Sequence, residues 1–551
     1  AFYFKAEEEA GEAKLIAKAA SSEVNGSIII SPKEGNAKEH HQTLIVTHDK
    51  SKTKNAELYI KWEGTNAGLS TTARKKDDEH SQRVKSKGGT IVDIVAYEGL
   101  IVGKEYTLKG QLYERVKQED GTYKLSGTKI FISGGDHDMT DNIVHMVIAK
   151  IPDEDGKLAN DLSTVNFFMV PKVMVDKETG ELGARNGVSV GSIEKKMGIK
   201  AQATCVLNFD EATAYRLGPK PQPKSADAGD KPKSKSQGMA GMFGMMNAAR
   251  MGVGIQGIAI GDVAYQNGAI YANERTAGRA LSGAKNPEDS ADPIIVHPDV
   301  RRMLLASRSF VEGARALAMW VSVMFTEARA AKDEKQREFA ADMGQLMTPI
   351  IKGYFTDKGF EAANQSMQVF GGHGYVKDHG MEQFVRDARI NQVYEGANGV
   401  QALDLVGRKM TAKGGRAPMA FFAHVQAFID ANKDDANLKP QLDALQAGLK
   451  DLQDAAIWLA ENAPKDFENA GAASYDVMTM FGIVALGFMW AQMAKTAQAK
   501  LDAGEGDPEF LKRKLVLARY WAERELPMTA SLKVRASAGA STLMELDAAN
   551  F

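Results

Sequence analysis

The sequence predicts an α+β, multidomain chain. It divides into an N-terminal all-β module (1–115), a β-barrel-like middle domain (116–215), a flexible loop (216–238), a helical bundle (239–410) and an extra C-terminal helical domain (411–551). Three observations lead there. At 551 residues the chain is too long for one core, and ordinary domain sizes divide it into roughly three or four units. Its apolar residues run with a period of two in the first part and a period of about 3.6 in the second. Between the two, Pro219 to Gln237 is rich in Pro, Lys, Ser, Asp and Gly, a composition that cannot bury enough apolar surface to order itself.

In the first module, Gly26-Ser27-Ile28-Ile29-Ile30-Ser31-Pro32, Thr43-Leu44-Ile45-Val46-Thr47 and Leu58-Tyr59-Ile60-Lys61-Trp62 are short β-rich runs separated by polar stretches. The middle domain continues with Lys129-Ile130-Phe131-Ile132-Ser133, Ile143 to Ile148 and Val165 to Val170, bounded by Gly, Asp and Pro. After the loop, Val300, Met303, Leu304, Ser307, Val311, Ala314, Ala318, Val321 and Phe325 fall on one helical stripe. A Lys/Gly break at Ala412-Lys413-Gly414-Gly415 precedes a last helical unit, where Leu442, Leu445, Leu449, Leu452 and Leu459 mark a buried face.

Several classes are disfavoured. With 25% charged residues and a formal net charge of −2, the chain offers no electrostatic case for nucleic acid or an anionic membrane. One cysteine, Cys205, excludes an internal disulfide framework and any cysteine cage for zinc or iron–sulfur; in Ala203-Thr204-Cys205-Val206-Leu207 it reads as a buried strand thiol. The opening Ala1-Phe2-Tyr3-Phe4-Lys5 has neither an initiator methionine nor the pattern of a secretory signal. The uncharged stretch Val477 to Ala494 falls short of the ~20 apolar residues of a spanning helix and reads as a core helix. His297 and His373 lack the neighbours of a metal site.

The chemistry-bearing segment is Gln368-Val369-Phe370-Gly371-Gly372-His373-Gly374-Tyr375, followed by Met381 to Ile390 and then Tyr394-Glu395-Gly396. Glycines at a helix end let backbone approach a ligand, and Glu395-Gly396 places a carboxylate where a helix breaks into a loop. Taken alone, the same residues equally describe a helix stop beside a solvated glutamate.

The order and spacing of these pieces resemble the acyl-CoA dehydrogenase signature, in which Arg386-Asp387-Ala388-Arg389-Ile390 leads into Tyr394-Glu395-Gly396. The resemblance runs from about Asp120 to Met410 and continues more loosely to the end. Ile132 to Asp138 and Met245 to Arg250 are most similar to members with an extra C-terminal helical domain, including the 3-methylthiopropanoyl-CoA dehydrogenases.

That resemblance implies FAD as cofactor, an acyl-CoA as substrate and Glu395 as the base for its α-proton, with the carboxyl pKa raised by a dry pocket. It implies that the Glu395 N–H and a flavin ribityl hydroxyl stabilise charge on the thioester oxygen, and that the β-hydrogen leaves as hydride to the flavin. Phe131, Ile132 and Ser133 would lie against the isoalloxazine ring, although by periodicity alone Ile130 to Ile132 reads as a buried strand. Arg275 would reach the flavin pyrophosphate across a subunit interface, where an isolated arginine is otherwise simply solvated. Gln368, Gly371 and Gly372 would meet the adenine end. Arg250 and Gly396 would contact or position the substrate. An electron-transfer flavoprotein as partner, a homodimer or homotetramer and a cytoplasmic location complete the expectation; an acyl-CoA oxidase is the nearest enzymatic alternative.

The family's helical first domain and its Thr-Glu-Pro-x-x-Gly-Ser/Thr-Asp segment are not recognisable here, and Ala397-Asn398-Gly399 stands where many relatives place Thr and Gln. Instead, Gly89 to Leu100 and Gly103 to Gly110 resemble the VaFE repeat of Gram-positive surface proteins, over about residues 65–115. Two patterns meet between Tyr113 and Asp120. A chimeric, non-catalytic structural protein is the reading from a different class.

Overall fold

The computed structural model describes backbone and side chains for residues 121–151, 165–218 and 245–551, the helical backbone of 237–244 and, before residue 121, the backbone of strands alone. The chain forms two compact units, residues 1–194 with 203–243, and residues 195–202 with 244–551. Each is described by itself.

The N-terminal module is all-β among its described residues. One four-stranded sheet has the order β1 (Ala13–Ala19), β3 (His41–His48), β7 (Gly89–Glu98), β5 (Gly68–Lys75), with β1 parallel to β3 and the other pairs antiparallel. A second has the antiparallel order β2 (Gly26–Ile30), β8 (Tyr106–Arg115), β4 (Glu57–Glu63), β6 (Val84–Lys85). The three runs expected from alternation coincide with β2, β3 and β4.

The middle sheet is organised by one long strand, β15 (Thr204–Leu217). One edge of it carries β9 (Tyr123–Ser133), while the other carries β14 (Val188–Ile193) near its start and β11 (Val165–Pro171) near its end. Outside β11 lies β10 (Val144–Lys150), and β12 (Val173–Val175) pairs with β13 (Leu182–Arg185) in a separate hairpin. Register shifts between Cys205 and Leu207 and between Phe209 and Ala212 interrupt the β9–β15 ladder; such bulges bend a strand and increase its twist, which curls this sheet into a half-barrel. Phe168, Val170, Cys205, Leu207 and Phe209 fill its concave side, so the lone thiol is a core group.

β15 continues to Leu217, and α1 (Gln237–Glu274) begins at Gln237. Both ends of the expected 216–238 loop therefore belong to regular elements, and 219–236 lies outside the described residues.

The second unit is helical: α2 (Pro298–Ala330), α3 (Glu334–Val369), single-turn α4 (Gly372–Tyr375), α5 (Met381–Arg389), α6 (Asn398–Asp404), α7 (Arg416–Asn432), α8 (Lys439–Asn462), α9 (Glu468–Asp502), α10 (Pro508–Tyr520), α11 (Met528–Ala536) and short α12 (Ser541–Met544). The α2 stripe faces inward as its spacing requires, with Met303, Leu304, Ser307, Val311, Ala314, Ala318 and Val321 buried. α1 and α3 run side by side in one direction, because Gly254, Gly257 and Gly261 meet Ile351, Phe355 and Ala362 in turn. Their backbones nearly touch: a Cβ on Gly359 would lie 2.3 Å from the Gly257 carbonyl oxygen.

The break at 412–415 is real, since Lys413, Gly414 and Gly415 all take positive φ. Yet the helices before and after it share one hydrophobic core, in which Phe310, Leu317 and Phe355 join Leu452, Phe481 and Trp490. Trp490 donates its indole N–H to the Ser309 carbonyl at 3.0 Å. α9 is long and apolar enough to cross a membrane, but 83% of its apolar window is buried among the other helices.

Candidate active site

The candidate catalytic carboxylate sits on a turn that the sequence can make in few other ways. α5 runs into a 3-10 turn at Ile390–Gln392; Glu395 and Gly396 then adopt consecutive left-handed backbones, φ 57° and 86°, before α6 starts at Asn398. Glycine takes that conformation freely, whereas for Glu395 it costs on the order of 1–2 kcal/mol. The turn is held by Gln401, whose amide nitrogen donates to the carbonyls of Glu395 (3.2 Å) and Gly396 (3.0 Å). Its φ calls for glycine at 396, and a Cβ there would lie 2.7 Å from that nitrogen, so a larger residue would have to displace the Gln401 amide that holds the turn.

Beneath the turn lies buried charge. Arg250 on α1 donates to Asp404 at 2.9 Å, and Arg408 donates to the other Asp404 oxygen at 2.5 Å. Burial alone would raise the Asp404 pKa; the Arg408 hydrogen bond and the surrounding cations hold it below the usual carboxylate value. Arg250 Nε and Gln401 Oε1 are buried without a hydrogen-bond partner among the described residues. Two such atoms flanking the Glu395 turn leave polar valences for a ligand.

Lys352 on α3 is fully buried and donates to Asn398 Oδ1 at 2.7 Å. Burial lowers its pKa to about 8, against the opposing pull of Asp357 and Glu395. Tyr394 donates its hydroxyl to Gln256.

The Arg-Asp-Ala-Arg part of the motif has a structural task. Arg386 donates to the Met197 carbonyl at 2.9 Å and Asp387 accepts the Ile199 N–H at 2.6 Å, fixing residues 197–199 on α5. Arg389 donates to Gln392 at 3.0 Å, the first tether of the Glu395 turn.

A second cluster lies roughly 25 Å farther along α3 from Lys352, at its C-terminal end. Tyr271 of α1 stacks on Phe370 with ring centroids 4.0 Å apart and hydrogen-bonds His373 Nδ1 at 2.7 Å. That contact brings Arg275, which follows Tyr271 by four residues, to the same end as Gln368, Gly371 and Gly372. All four are exposed. Around Gly371, φ 58°, and Gly372 a Cβ would meet nothing within 4 Å. The loop after Arg275 is pinned by Asp292, whose buried carboxylate accepts the N–H groups of Ala280, Lys285 and Asn286 at 2.8–2.9 Å. Those backbone hydrogen bonds, led by Asn286, lower its pKa to about 2.

In the first unit, β9 carries Phe131 on a bulge: two residues, Ile130 and Phe131, oppose the single Val206. Phe131 takes φ 59° and is 68% exposed, and Ile130 is 57% exposed, against the expectation from periodicity that this run is buried. Ser133 is exposed as well, while Ile132 turns toward the sheet core. The strained backbone lifts a phenyl ring off the sheet, the kind of outlier that gathers at functional sites.

Sequence reading missed Lys352, Asp357, Asn398, Gln401, Asp404 and Asp292. Asn398 and Gln401 stood within reach of the motif, at three and six residues past Glu395. Lys352 and Asp357 lie in a long helix without any local signal. His297 and His373 each engage protein groups, Ala277 O and Tyr271.

One unit holds a curled antiparallel sheet and the other a helical bundle with a carboxylate on a left-handed turn next to buried Arg250, the two parts of a flavin-linked thioester dehydrogenase. Residues 236–410 match the acyl-CoA dehydrogenase C-terminal domain, residues 421–547 the acetyl-CoA dehydrogenase C-terminal-like domain and residues 67–159 the T-Q ester bond containing domain. The chain is 36% identical to a 3-methylmercaptopropionyl-CoA dehydrogenase of Ruegeria pomeroyi, over 75% of this chain and 66% of the relative. It is 32% identical to a broad-specificity linear acyl-CoA dehydrogenase of Mycobacterium tuberculosis, over 79% and 70%. The solved acyl-CoA dehydrogenase of Bacillus anthracis, complexed with FAD, superimposes with a TM-score of 0.56 at 19% identity, covering 76% of this chain and 64% of the other, and shows the shared fold. The chain belongs to the acyl-CoA dehydrogenase family, and spans about two thirds of the length of these curated relatives.

Proposed function

We propose that this chain is an FAD-dependent acyl-CoA dehydrogenase that converts an acyl-CoA to its trans-2-enoyl-CoA, with Glu395 as the base. The observation that carries the proposal is the Glu395 turn: a carboxylate held in a left-handed conformation by Gln401, above buried Arg250. Such a turn points one side chain at one place, which is what abstraction of a weakly acidic α-proton needs.

Glu395 removes the α-proton, and its N–H donates to the thioester oxygen as charge builds there. Arg250 supplies fixed positive charge next to the turn, and Gln401 keeps both carbonyls of the turn away from the substrate. FAD, when bound, supplies the hydride acceptor. Within each unit the residues suit that group: in the first, Phe131 and Ser133 offer an exposed apolar and hydroxylic surface; in the second, Arg275 offers a planar cation for pyrophosphate, and Gly371 and Gly372 an open backbone just past the C-terminal end of α3. Among acyl chains, a short thioether or linear acyl group is favoured by the two relatives named above. An electron-transfer flavoprotein as acceptor, a homodimer or homotetramer and a cytoplasmic location belong to the same reading and rest on family membership.

The test is the visible spectrum of the purified chain after incubation with FAD, followed by anaerobic addition of 3-methylthiopropanoyl-CoA or butyryl-CoA. Retained flavin bands that bleach on addition support the proposal. A colourless chain, or flavin bands that stay unchanged with every acyl-CoA, overturns it.

A further inference from the structure

The chain on either side of Glu395 converges on one carboxylate. Asp357, on α3, accepts from Gln392 Nε2 at 2.7 Å and from Asn398 Nδ2 at 2.7 Å, both on Oδ1. Gln392 precedes Glu395 by three residues and Asn398 follows it by three. The other oxygen, Oδ2, accepts from the hydroxyl of Tyr475 at 2.6 Å. Tyr475 belongs to α9, beyond the break at 412–415 and inside the acetyl-CoA dehydrogenase C-terminal-like region.

We propose that Asp357 is the positioning residue of the Glu395 turn, and that Tyr475 lets the C-terminal helices set the geometry of the catalytic base. Its catalytic half rests on Glu395 being that base.

Three considerations support it. A non-glycine residue in the left-handed region persists only where its surroundings over-determine it, and here both flanks of the strained residue are tied to one atom. The bonds are charge-assisted and short, the kind that hold geometry most firmly. Asn398 is also fully engaged: besides Asp357, its amide donates to Gly353 O (3.0 Å) and Thr356 Oγ1 (2.9 Å), and its oxygen accepts from Lys352. One turn of α3, from Lys352 to Asp357, therefore grips the start of α6; from the last helical unit Met478 and Gly482 pack against Gly353 and Tyr354 of that turn, while Tyr475 hydrogen-bonds the Asp357 carboxylate itself. Tyr475 is 41% exposed, so losing its hydroxyl opens no cavity.

The experiment compares the parent full-length chain with Tyr475→Phe, Asp357→Asn and the double variant. Amide hydrogen exchange is followed across residues 390–400, beside kcat, KM and the melting temperature. In Tyr475→Phe, exchange in 390–400 rises about tenfold and kcat falls by about the same factor, with KM and melting temperature little changed. Asp357→Asn shows a larger effect, and the double variant is no worse than Asp357→Asn alone, because both act through one carboxylate. Unchanged exchange and kcat in Tyr475→Phe overturn the proposal even if Asp357→Asn fails to fold. A uniform rise in exchange over the whole chain also overturns it. The exchange readout needs no substrate: a parent without turnover whose 390–400 segment loosens in Tyr475→Phe removes the proposed activity and keeps the clamp, whereas a fully active Tyr475→Phe with parental exchange removes the clamp and keeps the activity.

Discussion

Arg250 and Asp404 face each other at 2.9 Å with both side chains 4% exposed, next to the left-handed turn at Glu395 and Gly396. Two charges so placed are expensive to desolvate, and what keeps them is mutual pairing together with Arg408 on the second oxygen. Replacing Arg250 by Met leaves Asp404 buried with one partner. The expected cost is about 3 kcal/mol of unfolding free energy, read from urea denaturation at neutral pH; a change below about 0.5 kcal/mol would show that the pair does not support the fold.

Glu395→Gln keeps the shape of the turn and removes the base. Turnover is expected to fall about a thousandfold while bound FAD is retained, measured as the rate of anaerobic flavin bleaching. A variant that bleaches at near the parental rate assigns the base elsewhere.

Lys352 gives a pH signature with a definite sign. Its folded pKa, about 8, lies below the ordinary 10.5 because burial penalises the ammonium. The penalty is fully present below pH 8, where both states are protonated, and disappears as pH rises toward 10.5, because in that window the unfolded chain binds the extra proton. Relative to Lys352→Met, the parent should therefore gain stability from pH 8 to 10.5, on the order of 3 kcal/mol in full. Parallel pH profiles for the two proteins would refute the assignment.

Asp292 gives the same sign in an acid window, because its folded pKa is also lowered. Its carboxylate is held at about 2 by backbone N–H groups, below the ordinary 3.8, so the loop it pins is stabilised above pH 3.8 and loses that support as pH falls through 2. Asp292→Asn weakens this loop and, through Arg275, the retention of FAD. Arg275→Ala removes the guanidinium itself, and the expected loss is about tenfold in FAD affinity, measured by fluorescence titration. Equal affinities across parent and both variants would detach this end of the bundle from the cofactor.

Gly359→Val tests the α1–α3 contact. Its new Cβ would overlap the Gly257 carbonyl oxygen, 2.3 Å away, and separating the helices should cost about 3 kcal/mol, read as a lowered melting temperature. An unchanged melting temperature would mean the two helices are not in contact.

The sequence by itself determined the classes of element and their order. Period-two runs became β2, β3, β4, β10 and β11, and the α2 and α8 stripes buried the expected side, because alternation and helical spacing are local consequences of backbone geometry. It also marked Glu395-Gly396 as the place where a helix breaks into a loop, while the positive φ of Glu395 itself appeared only in the structure. Tertiary structure alone decided what surrounds that turn. Lys352 and Asp357 carry no local signal, yet α3 brings them to Asn398 and Gln392, and α9 brings Tyr475 from more than a hundred residues away. The bulge that exposes Phe131 was hidden for the same reason: an extra residue in a strand is defined only against its partner, here β15. Likewise the break at 412–415 reads as a boundary in sequence, while the core it interrupts is continuous, because apolar faces pack by shape and not by position along the chain.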